Sequence, residues 1–291
     1  MYQKHGVVGL FLEGDYAEGG GGENAELRSY VMARLLWNPN DDVNGIIAEF
    51  MAAYYGQAAK AMRAYFDLLH QQVRPAPGGK GYHMWIGTNP GAPYLSEDFL
   101  TRAMELFREA QTAAKDEVLR ARVRKARLSI DYVNFMHAKT FTVRDGWYAP
   151  AHIDELKENF RSFMTDVRSF GITELHEGIK LAQEEERFAK DVKPYRVVTL
   201  ENSKLRVVVV PQLDGRIIHM IEKAAGKDVL HLPDSGEREW RERNFYPNVA
   251  GLSVGVYSDY ATTNYKADWV VASQPGPQEL FLAATYPNGL R

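Results

Sequence analysis

The feature that most constrains the fold is an apolar run, Gly6 to Leu12, that has no parallel counterpart in the helical sequence that follows it. The run is continuous and contains the β-branched Val7 and Val8, a pattern that predicts a strand buried on both faces. A glycine-rich loop and a helical pattern that starts at Asn24 come next. Because a parallel strand needs a hydrogen-bonded neighbour, we predict that this segment is the last β/α unit of a (β/α)8 barrel whose earlier strands lie outside the chain.

Helical periodicity dominates the sequence up to about residue 191. Apolar residues recur at helical spacing in five successive stripes, which predicts a helical bundle. The predicted helices begin near Asp41 or Asp42, Ala58, Ser96, Asp116 and Ile153. A loop over residues 74–94 interrupts them, with four prolines and five glycines.

The pattern changes near Pro194, where short β-branched segments alternate with turn sequences. Such spacing is typical of an antiparallel sandwich or barrel. We therefore predict an α+β multidomain chain. Its parts are the terminal β/α unit of a (β/α)8 barrel with the following helices (1–73), a loop (74–94), a helical bundle (95–191) and part of an antiparallel β-sandwich (192–291).

Composition excludes several classes of function. The formal net charge of −3 provides no basic field for a nucleic acid. The chain contains no cysteine, which rules out disulfides, thiolate metal sites and cysteine nucleophiles. Its eight histidines are scattered without metal-ligand spacing, and no apolar run is long enough to span a membrane. We expect no nucleic acid partner, no membrane span, no cofactor and no metal.

An acidic loop follows the predicted strand and carries Glu13, Asp15, Tyr16, Glu18 and Glu23 around four consecutive glycines. Glycines before a helix can bind phosphate, but these carboxylates would repel it. Two interpretations remain, a flexible surface loop and a set of polar substrate contacts at the C-terminal end of a barrel strand. Glu13 and Asp15 project to one side of an extended chain, a spacing that suggests the paired carboxylates of glycoside hydrolysis, although capping by Asp15 explains the spacing equally well.

Three motifs lie between residues 9 and 59, namely GLFLEG, ELRSYVMARLLWNP and EFMAAYYGQAA. With them, the segment from Gly9 to Leu69 closely resembles a bacterial family of unknown function found in large secreted proteins similar to α-glucuronidases and β-hexosaminidases. The resemblance implies the end of a (β/α)8 barrel, a helical appendage and a carbohydrate substrate. It also implies that Glu13 matches an acidic residue that holds sugar hydroxyls on the last strand of related barrels.

A second resemblance begins at residue 199, where LEN, PQLDGRI and KAAG follow one another. This segment is similar to the opening of galactose-mutarotase-like sandwiches. The resemblance implies that Arg216 matches an arginine that points toward sugar in some of them. Asp214 stands where that pattern has the first of two glycines.

Together these observations predict part of a carbohydrate-active protein that hydrolyses glycosidic bonds, with the catalytic acid and base unidentified. The expected substrate contacts are Glu13, Asp15, Tyr16, Trp85 and Arg216, where Trp85 either stacks on a sugar ring or packs between helices. The alternative is a non-catalytic carbohydrate-binding or scaffolding protein. The resemblance implies a periplasmic or extracellular location, and we expect this chain alone to be inactive because one β/α unit cannot close a barrel.

Overall fold

The computed structural model describes residues 5–12, 22–74, 92–138, 141–176, 178–213, 215–230 and 268–285. The chain divides into two compact units. The first comprises residues 1–137 and 154–186, and the second comprises residues 138–153 and 187–291.

The helices up to residue 169 agree with the apolar stripes of the sequence, and one further helix lies in the last part of the predicted helical region. They are α1 Ala25–Trp37, α2 Val43–Tyr55, α3 Ala59–Val73, α4 Glu97–Ala113, α5 Glu117–Ala138, α6 Ile153–Ser169 and α7 Leu181–Asp191, with a short 3-10 turn Gly56–Ala58 between α2 and α3.

Local sequence signals set several helix ends. The Asp42 carboxylate accepts from the backbone N–H groups of Asn44 and Gly45 and caps α2, and the Ser96 hydroxyl accepts from the Phe99 N–H and caps α4. Gly56 ends α2 with φ +51°, and a Cβ there would lie 3.1 Å from a Leu119 methyl group. Glycine is therefore required at this end for conformation and for space.

The core of the first unit forms where α1 to α5 meet. Phe99, Phe107, Val123, Met62 and Tyr65 have almost no exposed surface and belong to one cluster. The rings of Tyr65 and Phe107 are in contact, with centroids 4.5 Å apart. The α6 helix joins the same unit through aromatic contacts with α5, and the ring centroids of Phe135 and Phe163 lie 5.1 Å apart.

The strands are short and pair in an antiparallel sense. They are β1 Phe141–Arg144, β2 Trp147–Pro150, β3 Glu174–His176, β4 Ile179–Lys180, β5 Tyr195–Arg196, β6 Val198–Glu201, β7 Leu205–Val210, β8 Arg216–Glu222, β9 Lys227–Asp228, β10 Asp268–Gly276 and β11 Glu279–Thr285. The sheets have the orders β1-β2-β5, β6-β7-β8-β9, β3-β4 and β10-β11.

The second unit has its own core between strands. Tyr148 of β2 packs with Val208 and Val210 of β7, with Leu213, and with Ile218 of β8. The structure therefore has the mixed α+β character that the sequence predicts. A hairpin formed by β1 and β2 lies inside the stretch that the sequence assigns to helices, and it belongs to the second unit.

One predicted strand is not found. Residues 7–12 form no strand, and their large apolar side chains are exposed, with Phe11 92% exposed. The run is therefore unpaired in the described part of the chain, because a strand needs a hydrogen-bonded neighbour and none of the described sheets includes it. Its burial as the last strand of a barrel stays a prediction.

Candidate functional site

The described residues include only one of the predicted substrate contacts. Glu13, Asp15, Tyr16 and Trp85 lie outside the described residues, whereas Arg216 is the first residue of β8. The structure does describe the C-terminal end of the acidic loop, at Glu23. Two places therefore bear on the predicted site, the junction at Glu23 in the first unit and the surroundings of Arg216 in the second.

Glu23 lies in the turn before α1, and its carboxyl group is bound by side chains that all follow it in the sequence. Its Oε1 accepts a 2.8 Å hydrogen bond from Asn24 Nδ2 and a 3.1 Å hydrogen bond from the Tyr65 hydroxyl of α3. Ser129 of α5 also forms a hydrogen bond with this carboxyl group. We call this set, Glu23 with Asn24, Tyr65 and Ser129, the loop anchor.

Burial controls the electrostatics of the loop anchor. It raises the pKa of the Glu23 carboxyl, and the hydrogen bonds from Ser129 and Tyr65 and the charge of Arg28 oppose that rise only in part. Burial also raises the pKa of Tyr65 well above its usual value, so this phenol remains a hydrogen-bond donor at physiological pH. The junction is therefore a half-buried glutamate whose carboxyl group accepts hydrogen bonds from neutral donors.

Asn24 occupies the predicted N-cap position but does not act as a conventional cap. Its backbone is left-handed, with φ +52°, and its side chain makes no cap hydrogen bond to the helix. The amide donates to Glu23 instead. The helix start was correctly predicted, but this side chain serves the carboxyl group that precedes it.

A second network lies on the surface between α1 and α2. Glu49 accepts a 2.6 Å hydrogen bond from the Tyr30 hydroxyl and forms an ion pair with Arg34 at 2.9 Å. Arg34 also contacts Asp41 at 3.3 Å. The hydrogen bond from Tyr30, followed by that from Arg34, lowers the pKa of the Glu49 carboxyl. This network connects the first two helices after the loop anchor.

Arg216 lies at a tight turn between β7 and β8. The N–H of Gly215 donates to the carbonyl of Pro211 at 3.0 Å, and the N–H of Arg216 donates to that of Leu213 at 3.1 Å. Gly215 has φ +60°, which glycine tolerates readily. Arg216 is half-buried and pairs with Val210 of β7. Asp214, at the position that departs from the sandwich pattern, lies outside the described residues.

A histidine shares the sheet face of Arg216. Val208 pairs with His219, and Val210 pairs with Arg216. Because cross-strand partners share a face and residues two apart on a strand do so too, Arg216 and His219 lie on one side of the sheet. A bulge between Val208 and Val209 adds one residue to β8 and makes this arrangement possible.

Asp228 of β9 orients that histidine. His219 Nδ1 lies 2.6 Å from Asp228 Oδ2, while Asp228 Oδ1 accepts from the N–H groups of Met220 and Leu230. Although burial acts in the opposite direction, the hydrogen bonds from His219 and from these backbone N–H groups lower the pKa of Asp228. A carboxylate on Nδ1 leaves Nε2 as the ring atom that can bind a ligand or transfer a proton. No spacing rule in the sequence marks this pair.

Neither a metal centre nor a membrane segment is found in the part of the chain that the structure describes. No group of three or more His, Asp or Glu side chains in that part could hold a metal ion. The polar side chains between Asn38 and Asp42 take part in helix capping and in the surface network between α1 and α2. No described helix is long and apolar enough to cross a membrane.

Two stretches of the chain match models of protein families. Residues 1–67 match a domain of unknown function, DUF4838, and residues 182–255 match a second one, DUF5107. No curated protein and no solved structure gives a significant match. The chain therefore contains matches to two domains of unknown function. Glu23, Asn24 and Tyr65 of the loop anchor fall within the first matched stretch, and Arg216 falls within the second.

Proposed function

We propose that this chain supplies substrate contacts in a carbohydrate-active protein that hydrolyses glycosidic bonds. The contacts come from Glu13, Asp15 and Tyr16 in the acidic loop, with Trp85 and Arg216 as further sugar contacts. The observation that carries the proposal is the loop anchor, which attaches the end of this loop to the helical core of the first unit through Glu23.

The loop anchor supports the proposal through geometry. The hydrogen bonds of Glu23 fix the C-terminal end of the acidic loop to α3. A carboxylate that is held in place before binding would bind sugar hydroxyls with less loss of entropy than a carboxylate on a free loop. Hydrogen bonds to a charged carboxylate contribute roughly 1.5 to 3 kcal/mol each.

Hydrolysis needs two carboxyl groups, one to protonate the leaving oxygen and one to attack or to activate water. The proposal assigns neither role to a residue of this chain, and Glu23 acts in it as a positioning residue because its carboxyl is engaged by protein donors. The resemblance to secreted α-glucuronidase-like proteins further supports a periplasmic or extracellular location, which cell fractionation would test.

The test compares two loop variants with equal charge change. Glu13→Gln keeps the side-chain shape and weakens two charge-assisted hydrogen bonds, so we expect oligosaccharide affinity of the chain, measured by isothermal titration calorimetry, to fall at least about tenfold. Glu18→Gln in the same loop serves as the control and should leave affinity unchanged. Equal affinities for wild type and Glu13→Gln would contradict the assignment of Glu13.

A second measurement separates hydrolysis from binding alone. Release of chromophore from aryl glycosides by the protein that contains this chain supports hydrolysis, and Glu13→Gln should then lower kcat/KM by at least about tenfold, which corresponds to 1.4 kcal/mol. Oligosaccharide binding without any turnover would instead support the alternative, a non-catalytic carbohydrate-binding or scaffolding protein.

A further inference from the structure

An exposed tryptophan lies on the outer face of the β1-β2-β5 sheet. Trp147 of β2 pairs with Arg144 of β1 on one side and with Arg196 of β5 on the other, so the three side chains form one row across the sheet. The opposite face carries Val143, Tyr148 and Tyr195, which belong to or pack against the core of the second unit. The row therefore faces outward.

The β1–β2 turn fixes this row. Asp145 and Gly146 both have positive φ, +50° and +78°, which is the conformation of a two-residue type I′ hairpin turn. That turn sets the register in which Arg144 lies directly opposite Trp147. A shift of one residue would exchange the two faces and would bury Trp147 in place of Tyr148.

Part of the indole and both guanidinium groups remain exposed, although Arg196 covers one face of the Trp147 ring. Trp147 keeps 37% of its surface exposed. The Arg196 guanidinium lies 3.9 Å from the centroid of the Trp147 ring and forms no ion pair among the residues that the structure describes. Arg144 contacts Asp145 at 3.4 Å, with both side chains at least 79% exposed, and such surface pairs are weak.

We propose that Trp147, Arg144 and Arg196 form a binding platform for a sugar residue that carries a carboxylate, that is, a hexuronic acid unit of a glycan. The indole face that Arg196 does not cover would stack on the C–H groups of the sugar ring. The guanidinium groups would bind the sugar carboxylate, for which their planar fork is suited. The inference rests on the proposed carbohydrate function and specifies the class of sugar.

Size and charge favour this ligand over a macromolecule. A stable protein interface buries about 800 Å² on each partner and uses about 20 to 30 residues a side, whereas this row consists of three side chains. A nucleic acid would require a wider basic field than a chain with a net charge of −3 provides. One aromatic ring between two arginines matches a single anionic ring.

The experiment uses the 291-residue chain labelled with 5-fluorotryptophan and observed by ¹⁹F NMR, with the Trp147 resonance assigned through Trp147→Phe. The probes are methyl glucuronide and methyl galacturonide, and methyl glucoside and methyl galactoside are their neutral counterparts. We expect the Trp147 resonance to shift with the uronides, with affinity at least about tenfold higher than for the neutral glycosides, and to lose that preference at high salt.

Variants test the arginine. Arg196→Gln should reduce affinity for the uronides at least about tenfold, since a charge-assisted bidentate contact is lost, and should leave the neutral glycosides unaffected. Arg161→Gln, an exposed arginine of α6 with the same charge change, is the control and should have no effect. The dispersion of the other tryptophan resonances verifies that each variant is folded.

Three results would overturn the inference. In the first, the Trp147 resonance does not respond to any glycoside, but Glu13→Gln still lowers oligosaccharide affinity. The proposed function would then stand without this platform. Another is an equal response to acidic and neutral glycosides. The third is tighter binding of a glutamate-rich peptide at Trp147, which would indicate a protein partner. Failure of the proposed function itself would appear separately, as no saccharide response at any tryptophan and no effect of Glu13→Gln.

Discussion

The loop anchor leads to a prediction about two hydrogen bonds, each from a tyrosine hydroxyl to a glutamate carboxylate, that differ in burial. Two tyrosine hydroxyls of the first unit donate to carboxylates. Tyr65 is 1% exposed and donates to Glu23 at 3.1 Å, whereas Tyr30 donates to Glu49 at 2.6 Å in an exposed network. Bond length alone would rank the Tyr30 contact higher. Burial ranks the Tyr65 contact higher, because water replaces a lost donor less easily at a half-buried carboxylate than at an exposed one.

We therefore expect Tyr65→Phe to lower the free energy of unfolding by roughly 1.5 to 3 kcal/mol, the range for hydrogen bonds to charged groups. For a domain of ~150 to 250 residues this corresponds to a decrease in Tm of about 3 to 12 °C. Tyr30→Phe is the matched control and should have a clearly smaller effect, because water replaces the lost donor. Urea unfolding of both variants at pH 7, followed by circular dichroism, measures the difference.

The same variant has a predictable pH dependence. Burial raises the folded-state pKa of Glu23 above that of the unfolded chain, so the folded state holds this proton more tightly. Stability from this group is therefore fully present below the ordinary carboxyl pKa and is lost as pH rises through the raised pKa. The Tyr65 hydrogen bond opposes the rise in pKa, so Tyr65→Phe should enlarge that loss, and its destabilisation should be smaller at pH 4 than at pH 7.

A double-mutant cycle with Glu23→Gln completes the test. A neutral amide acceptor forms a weaker hydrogen bond than a carboxylate, so Tyr65→Phe should destabilise the Glu23→Gln protein less than it destabilises the wild type. Two results would refute the reasoning. These are a Tyr30→Phe effect as large as that of Tyr65→Phe, and a Tyr65→Phe effect that does not depend on pH or on the charge of Glu23.

Three further predictions concern the fold. Phe107→Ala should lower the free energy of unfolding by roughly 3 to 5 kcal/mol, because its side chain is fully buried against Tyr65. Phe107→Leu should lower it by less than about 1.5 kcal/mol. If urea unfolding gave similar losses for the two variants, the ring would lie outside the core. Asp42→Ala should lose roughly 0.5 to 2 kcal/mol of cap stabilisation by the same assay, whereas Asp42→Asn should retain most of it. Gly146→Ala should lower stability by about 1 to 2 kcal/mol, since φ is +78° there, and an unchanged Tm would argue against the type I′ turn.

The sequence alone determined the helices of the first unit. Their apolar stripes, the cap residues Asp42 and Ser96 and the terminator Gly56 all act within one or two turns of helix, so their effect can be read without knowledge of distant partners. The short strands after Pro194 were predictable for a similar reason, because β-branched runs between turn sequences specify local hairpins. The β1–β2 hairpin could have been predicted from Asp145 and Gly146 between alternating apolar residues, a signal that the helical pattern on both sides obscured.

Tertiary structure decided what depends on contacts between residues distant in sequence. In the sequence, Glu23 cannot be distinguished from the other carboxylates of the acidic loop. Its hydrogen bond with Tyr65 forms only because α3 lies beside the start of α1. The approach of His219 to Asp228 requires the register and the bulge of a formed sheet, and the row of Trp147 with Arg144 and Arg196 requires three strands to pair. The run from Gly6 to Leu12 shows that a local pattern alone does not form a strand. Its composition favours a buried strand, but burial and pairing are supplied by neighbours, and the described sheets supply none.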